Sequence, residues 1–109
     1  MDRLTSMAVF VKASDLGSFA SAAEAMGMSP QMVAKHVVFL EDRLGATLLH
    51  RTTRRQSLTD VGRAYYDRCK LVLAEAEAAD TLALDMRSRP EGMLRVNAPV
   101  TFGSFSLAP

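Results

Sequence analysis

Cysteine is almost missing from this chain of 109 residues, where Cys69 stands alone. A single thiol cannot close an internal disulfide or build a thiolate metal cage, which fits a reducing compartment. Histidine is scarce too: His36 and His50 are the only two, and neither has a second ligand at metal spacing, so no metal site is expected. Long apolar runs are missing. The stretch Met7 to Val11 is about five residues, against the roughly 20 that span a bilayer. The start, Met1-Asp2-Arg3-Leu4, lacks the charged opening, apolar stretch and cleavage site of a signal peptide. These absences predict a soluble, cytoplasmic protein with no membrane partner. Net charge is nearly nil, with 13 Lys and Arg against 12 Asp and Glu, so attraction to a polyanion must come from where the charges lie. Ser, His and Asp occur in no nucleophile motif, and no glycine-rich phosphate loop is present, which argues against an enzyme and against a bound cofactor. What is present is a core-forming composition, 49% hydrophobic and 23% charged, sized for one compact domain and an appendage.

Four segments carry helical periodicity. Leu4, Met7, Ala8 and Val11 make an i, i+3, i+4, i+7 stripe, predicting an amphipathic helix over about 3–14, with Gly17 as its stop. Ser18 is placed to cap a short second helix with the stripe Phe19, Ala22, Ala23 and Met26, ended by Gly27. Ser29-Pro30 follows at once, a hydroxyl cap with proline in its favoured first position. The third helix is expected to bury Val33, Val37, Leu40 and Leu44 and to stop at Gly45. Met26, Met28 and Met32 around the turn are read as core fillers. Helix, very short glycine-containing turn, helix is the arrangement of a helix-turn-helix. From Gly45 to Leu58 the helical period vanishes. Residues 47–50 and 55–58 are strand candidates around Arg51-Thr52-Thr53-Arg54, a two-stranded wing with a basic tip.

Thr59-Asp60 then opens a long helix with a hydroxyl cap and an acid in the first turn. Nothing breaks it before Pro90. Val61, Tyr65, Val72, Ala76, Ala79, Ala83 and Met86 recur at about 3.5-residue spacing, the pattern of a partner surface in a coiled-coil-like dimer. Cys69 is expected to pack within this helix. After Pro90-Glu91-Gly92, the alternating stretch Met93 to Ala98 reads as a strand, the front of a further domain. The expected organisation is therefore 1–58, a mainly α winged helix-turn-helix of three helices and a two-stranded wing; 59–89, a linker and dimerisation helix; and 90–109, the start of a truncated C-terminal domain.

Laid on a helix at about 100° per residue, residues 30–44 put Gln31, Ala34, Lys35, Val38 and Asp42 opposite the apolar side, with Pro30 near the edge. The N-terminal part of such a helix is what a helix-turn-helix inserts in the major groove. Gln31 suits an adenine edge, Lys35 a guanine or phosphate, and Ala34 a thymine methyl. Arg51, Thr53, Arg54 and Arg55 complete the surface from the wing, where arginine suits a narrow minor groove and its neighbours clamp phosphates. Ser18 and Ser29 sit at helix starts that can bind phosphate, although capping alone explains both. His36 is counted with this DNA-facing set, either flanking the backbone-contacting side or packing there. The rival from another class is a protein-interaction module that dimerises through the long helix; the basic wing argues against it.

The motifs Leu16-Gly17-Ser18-Phe19, Ala22-Ala23-Glu24-Ala25, Gly27-Met28-Ser29, Leu40-Glu41-Asp42-Arg43-Leu44-Gly45, Arg51-Thr52-Thr53-Arg54-Arg55 and Leu58-Thr59 through Gly62 together resemble the N-terminal domain of LysR-type transcriptional regulators, from about Met1 to Ala98. The resemblance implies sequence-specific double-stranded DNA binding at a promoter or operator, and a linker helix pairing antiparallel with that of a second subunit. It also implies a C-terminal domain that takes a small-molecule effector and supports tetramers in the full-length protein. Family DNA-contact positions fall on Pro30, Gln31, Ala34, Lys35 and Arg54. Ala34 stands where the family commonly has serine, and Lys35 where arginine is frequent; lysine cannot make the planar bidentate grip of arginine.

Overall fold

A computed structural model describes residues 1–51 and 56–88, with Arg51 as backbone only. The element order is α1 Arg3–Leu16, α2 Phe19–Met26, α3 Pro30–Leu44, β1 Leu49–Arg51, β2 Gln56–Leu58 and α4 Asp60–Ser88. β1 and β2 pair antiparallel in the register Leu49 with Leu58, His50 with Ser57 and Arg51 with Gln56. The strands expected at 47–50 and 55–58 are found at 49–51 and 56–58, with Arg51 in the ladder and not in the tip; residues 52–55 and the alternating stretch expected at 93–98 lie outside the described residues.

Each helix starts on a side chain that accepts otherwise orphaned backbone N–H groups. Asp2 caps α1 through Thr5 N at 2.9 Å, and the Thr5 hydroxyl, ahead of that N–H, holds the Asp2 carboxyl below its ordinary range. Ser18 caps α2 through Ser21 N at 3.0 Å. Ser29 caps α3 through Met32 N at 3.1 Å, with Pro30 in the first turn. Gly27 ends α2 at φ 68°, a left-handed angle that side chains with a Cβ resist, and this lets α3 begin three residues later. Gly17 and Gly45 end α1 and α3 in the same way.

The core has two clusters. One joins Val9 and Ala13 of α1, Ala22 and Ala23 of α2 and Val33 of α3, with Phe19, Met26 and Met28 packed against it. The small alanines let α2 lie close to its neighbours. The other joins Met7, Phe10, Val37, Leu40, Leu48, Leu49 and Cys69, with Leu58, Tyr65 and Tyr66 against it. Phe10 and Leu40 are completely buried, each contributing about 1.5–3 kcal/mol by removal from water.

Two expectations need correction. The buried side of α1 is Ser6, Met7, Val9, Phe10 and Ala13, not the stripe through Leu4, which is 44% exposed. Ser6, Val9, Phe10 and Ala13 also follow i, i+3, i+4, i+7, but a serine in first place hides the pattern until its buried partner is known. Leu44, the last residue of α3 before its Gly45 cap, is 43% exposed and not part of the core.

The chain divides into two compact units, Met1–Ala74 and Glu75–Pro109. The first takes in the beginning of α4, whose Tyr65, Tyr66 and Cys69 pack on the core. Thr59 joins α4 to the base of the hairpin: its N–H donates to Leu48 O at 3.0 Å, its hydroxyl donates to Thr47 O at 2.6 Å, and Gly62 N donates to that hydroxyl at 2.8 Å. Tyr66 donates its hydroxyl to Asp15 Oδ1, tying α4 to the end of α1. In the second unit, the described residues Glu75–Ser88 are helix with no buried side chain, and Leu82 and Leu84 are each 57% exposed.

Candidate nucleic-acid interface

The first two turns of α3 present a continuous polar ledge. Ser29, Pro30, Gln31 and Lys35 are exposed, Ala34 is half-buried beside them, and Val38 is 40% exposed one turn on. The ledge points outward because the other side of the helix is consumed by the core, through Val33, Val37 and Leu40, all completely buried. No acidic residue stands in the first turn of α3, so the partial positive charge of the helix start meets solvent unopposed. The nearest carboxylate along the helix, Glu41, is half-buried and turned to the hairpin, where its Oε2 accepts from Leu48 N at 2.8 Å. A ledge of this kind can offer donors, one cation and a small apolar step to a groove of about helix width.

The two serines at helix starts hold their neighbours' backbone. Ser18 accepts from Ser21 N and donates to Ser21 Oγ at 2.9 Å, while Ser29 stays exposed with its capping bond made. Of the two positions expected for His36, the structure shows packing and removes it from the DNA-facing set: it is 5% exposed, and its Nδ1 lies 2.7 Å from Ser6 Oγ. It turns inward because it lies about 100° around the helix from Lys35, toward α1. Arg51 ends β1 opposite Gln56; its side chain, like Thr53, Arg54 and Arg55, lies outside the described residues. Ser6 and the Glu41 tether were missed by sequence reasoning, since both depend on partners distant along the chain.

On α4 the expected partner stripe is open to solvent at Val61 (48%) and Val72 (42%), and at Ala79 and Ala83, with Ala76 and Met86 half-buried. Tyr65 differs: its ring lies 5.8 Å from that of Phe10 at 45°, so one side belongs to its own core. With Arg3, Leu4, Met7 and Val72 it also lines a shallow recess of about 250 Å³. Among the described residues no group of His, Cys, Asp and Glu could hold a metal, and no helix is long and apolar enough to cross a membrane.

Three helices with a tight turn between the second and third, a two-stranded hairpin and a trailing long helix define a winged helix-turn-helix. The family model described as bacterial regulatory helix-turn-helix protein, lysR family, matches residues 4–63, more than half the sequence, and the chain belongs to that family. Among its relatives are an HTH-type transcriptional repressor of Pseudomonas aeruginosa, 42% identical over 109 residues, covering 100% of this chain and 34% of the relative, and the regulator CrgA of Neisseria meningitidis, 41% identical over 103 residues, 94% of this chain and 34% of the relative. The chain thus spans about a third of the length of these curated relatives. Of solved structures, the DNA-binding domain of CbnR in complex with DNA is similar at a TM-score of 0.72 and 25% identity, covering 78% of this chain and 97% of that one. A full-length OxyR variant of Pseudomonas aeruginosa is similar at 0.74 and 29% identity, covering 79% and 29%. The BenM DNA-binding domain in complex with DNA shares the fold at 0.78 with 23% identity, covering 84% and 100%.

Proposed function

We propose that this chain is the DNA-reading part of a transcription regulator, binding duplex DNA sequence-specifically as a homodimer. On this reading α3 enters the major groove, Gln31 and Lys35 read base edges, Ala34 gives apolar contact, and the wing arginines Arg54 and Arg55 reach the neighbouring minor groove. The observation that carries it is the ledge on α3, where Gln31 and Lys35 stand exposed at a helix start free of acids. Lineage adds support, since the related CbnR domain was solved with DNA. The exposed stripe Val61, Val72, Ala79 and Ala83 on α4 supplies the pairing surface, and small residues permit close helix approach. Control by a small-molecule effector and assembly into tetramers fall, on this reading, to the part of the relatives that this chain does not span.

The test is selection from a random duplex pool, followed by electrophoretic shift with the enriched sequence. Affinity should fall steeply with salt, as counterions released from several phosphates demand. Lys35→Ala should weaken binding about tenfold, within the roughly 1–3 kcal/mol range of a good base contact, and should also change the preferred sequence. Arg54→Ala should weaken chiefly sites with A·T-rich flanks. Variants that bind every duplex as the parent does would overturn the assignment. Salt-independent capture of a protein, with no DNA affinity, would favour an interaction module instead.

A further inference from the structure

Ser6 and His36 are the buried polar side chains among the described residues, at 0% and 5% exposure. They meet across the α1–α3 contact with Ser6 Oγ 2.7 Å from His36 Nδ1. The same two helices also bring apolar side chains into one buried cluster, Met7 and Phe10 of α1 with Val37 and Leu40 of α3. Apolar packing is non-directional and tolerates repacking, so it leaves α3 some freedom to roll about its axis. A hydrogen bond between two buried groups has one solution, and breaking it strands both groups away from water.

His36 directly follows Lys35 on α3, so whatever fixes one fixes the other. A roll of about 20° moves a side-chain tip at a radius of about 5–6 Å by about 2 Å, several times the spread of about 0.5 Å that a hydrogen bond allows. A small roll would therefore leave the fold intact and spoil base reading. A buried polar pair is a poor source of stability compared with an apolar pair of similar volume, but it is suited to setting register.

We propose that the Ser6–His36 hydrogen bond is a register pin, which holds α3 at the one rotation that aims Gln31 and Lys35 together into the groove. Ser6 and His36 are thus positioning residues for sequence discrimination and touch no DNA. The proposal rests on the DNA-reading function of α3.

The test compares the parent with Ser6→Ala/His36→Leu, which makes the contact wholly apolar, and with Ser6→Ala, the smallest change. Each is titrated with the duplex enriched by the parent and with a shuffled duplex of the same composition. The double variant should melt within a few degrees of the parent and keep its affinity for the shuffled duplex, yet lose at least fivefold in the ratio of the two affinities. Ser6→Ala should lose ratio in the same direction. Relaxation dispersion on the DNA-free protein should show new microsecond-to-millisecond exchange at residues 30–38 in either variant. A folded variant with the parent's ratio and no such exchange would overturn the pin. A parent that enriches no duplex would instead overturn the DNA reading, and the dispersion measurement would then decide the pin alone.

Discussion

Adding one methyl group at Gly62 should damage this domain more than most truncations on its surface. A Cβ there would stand 2.0 Å from the Leu48 carbonyl oxygen, 2.9 Å from its carbon and 3.2 Å from Leu48 Cα. The obstruction is backbone and cannot swing aside. The same Leu48 oxygen accepts from Thr59 N, so moving it also disturbs the junction between the hairpin and α4. Alanine would ordinarily improve a helix over glycine by about 0.5–1 kcal/mol. Against that stand overpacking, about 1–3 kcal/mol, and the strained or lost hydrogen bonds at Thr59, about 1 kcal/mol each. The balance is a destabilisation on the order of 2–4 kcal/mol, a large part of the roughly 5–15 kcal/mol that holds a domain together. At about 4–8 °C per kcal/mol for a domain of this size, Gly62→Ala should melt roughly 10–30 °C below the parent by circular dichroism at 222 nm. A melting point equal to or above the parent's would refute the close approach of α4 to Leu48.

Two further outcomes concern titratable groups. Cys69 is completely buried, and burial pushes its thiol up to about 11, only partly offset by Tyr65; native protein at neutral pH should resist a thiol reagent that labels one thiol at once in guanidinium. Because the folded value exceeds the ordinary 9.0, the thiol's contribution to stability is complete below pH 9 and fades as pH rises through about 11. Tyr66 is raised first by its hydrogen bond to Asp15, and Tyr65 first by desolvation. In the folded chain both should therefore ionise above pH 10 by absorbance at 295 nm, with Asp15→Ala lowering one of the two. The Tyr66–Asp15 tie is complete below pH 10 and lost as pH rises through the folded value.

Much of this architecture was legible because local chemistry decides it. Ser18, Ser29 and Thr59 accept from backbone N–H groups near them in sequence, and Gly17, Gly27 and Gly45 supply left-handed stops, so the helix limits could be read from neighbours alone. A two-stranded hairpin was legible in outline, but its strands run 49–51 and 56–58 instead of the expected 47–50 and 55–58, because Arg51 pairs with Gln56 across the ladder and does not sit in the turn. What escaped depends on partners distant along the chain. The core side of α1 begins with Ser6, whose burial makes sense only once His36, 30 residues away, accepts or donates to it. For the same reason the sequence left His36 open between the DNA-facing flank and the packed interior. The outward ledge of Gln31, Ala34 and Lys35 survived because the opposite face, Val33, Val37 and Leu40, is apolar enough to fix the helix's inner side from its period alone.

If the start of α3 lies inside a duplex groove, a cleaving group tethered there must cut the DNA beside it. Gln31→Cys can carry an iron chelate while buried Cys69 stays unlabelled, and Leu84→Cys on α4, at an exposed site, serves as the control. Bound to the enriched duplex, the label at 31 should cut both strands bordering the major groove within each half-site, and the label at 84 should not. Cleavage absent at 31, or no different from that at 84, would mean that α3 does not enter the groove.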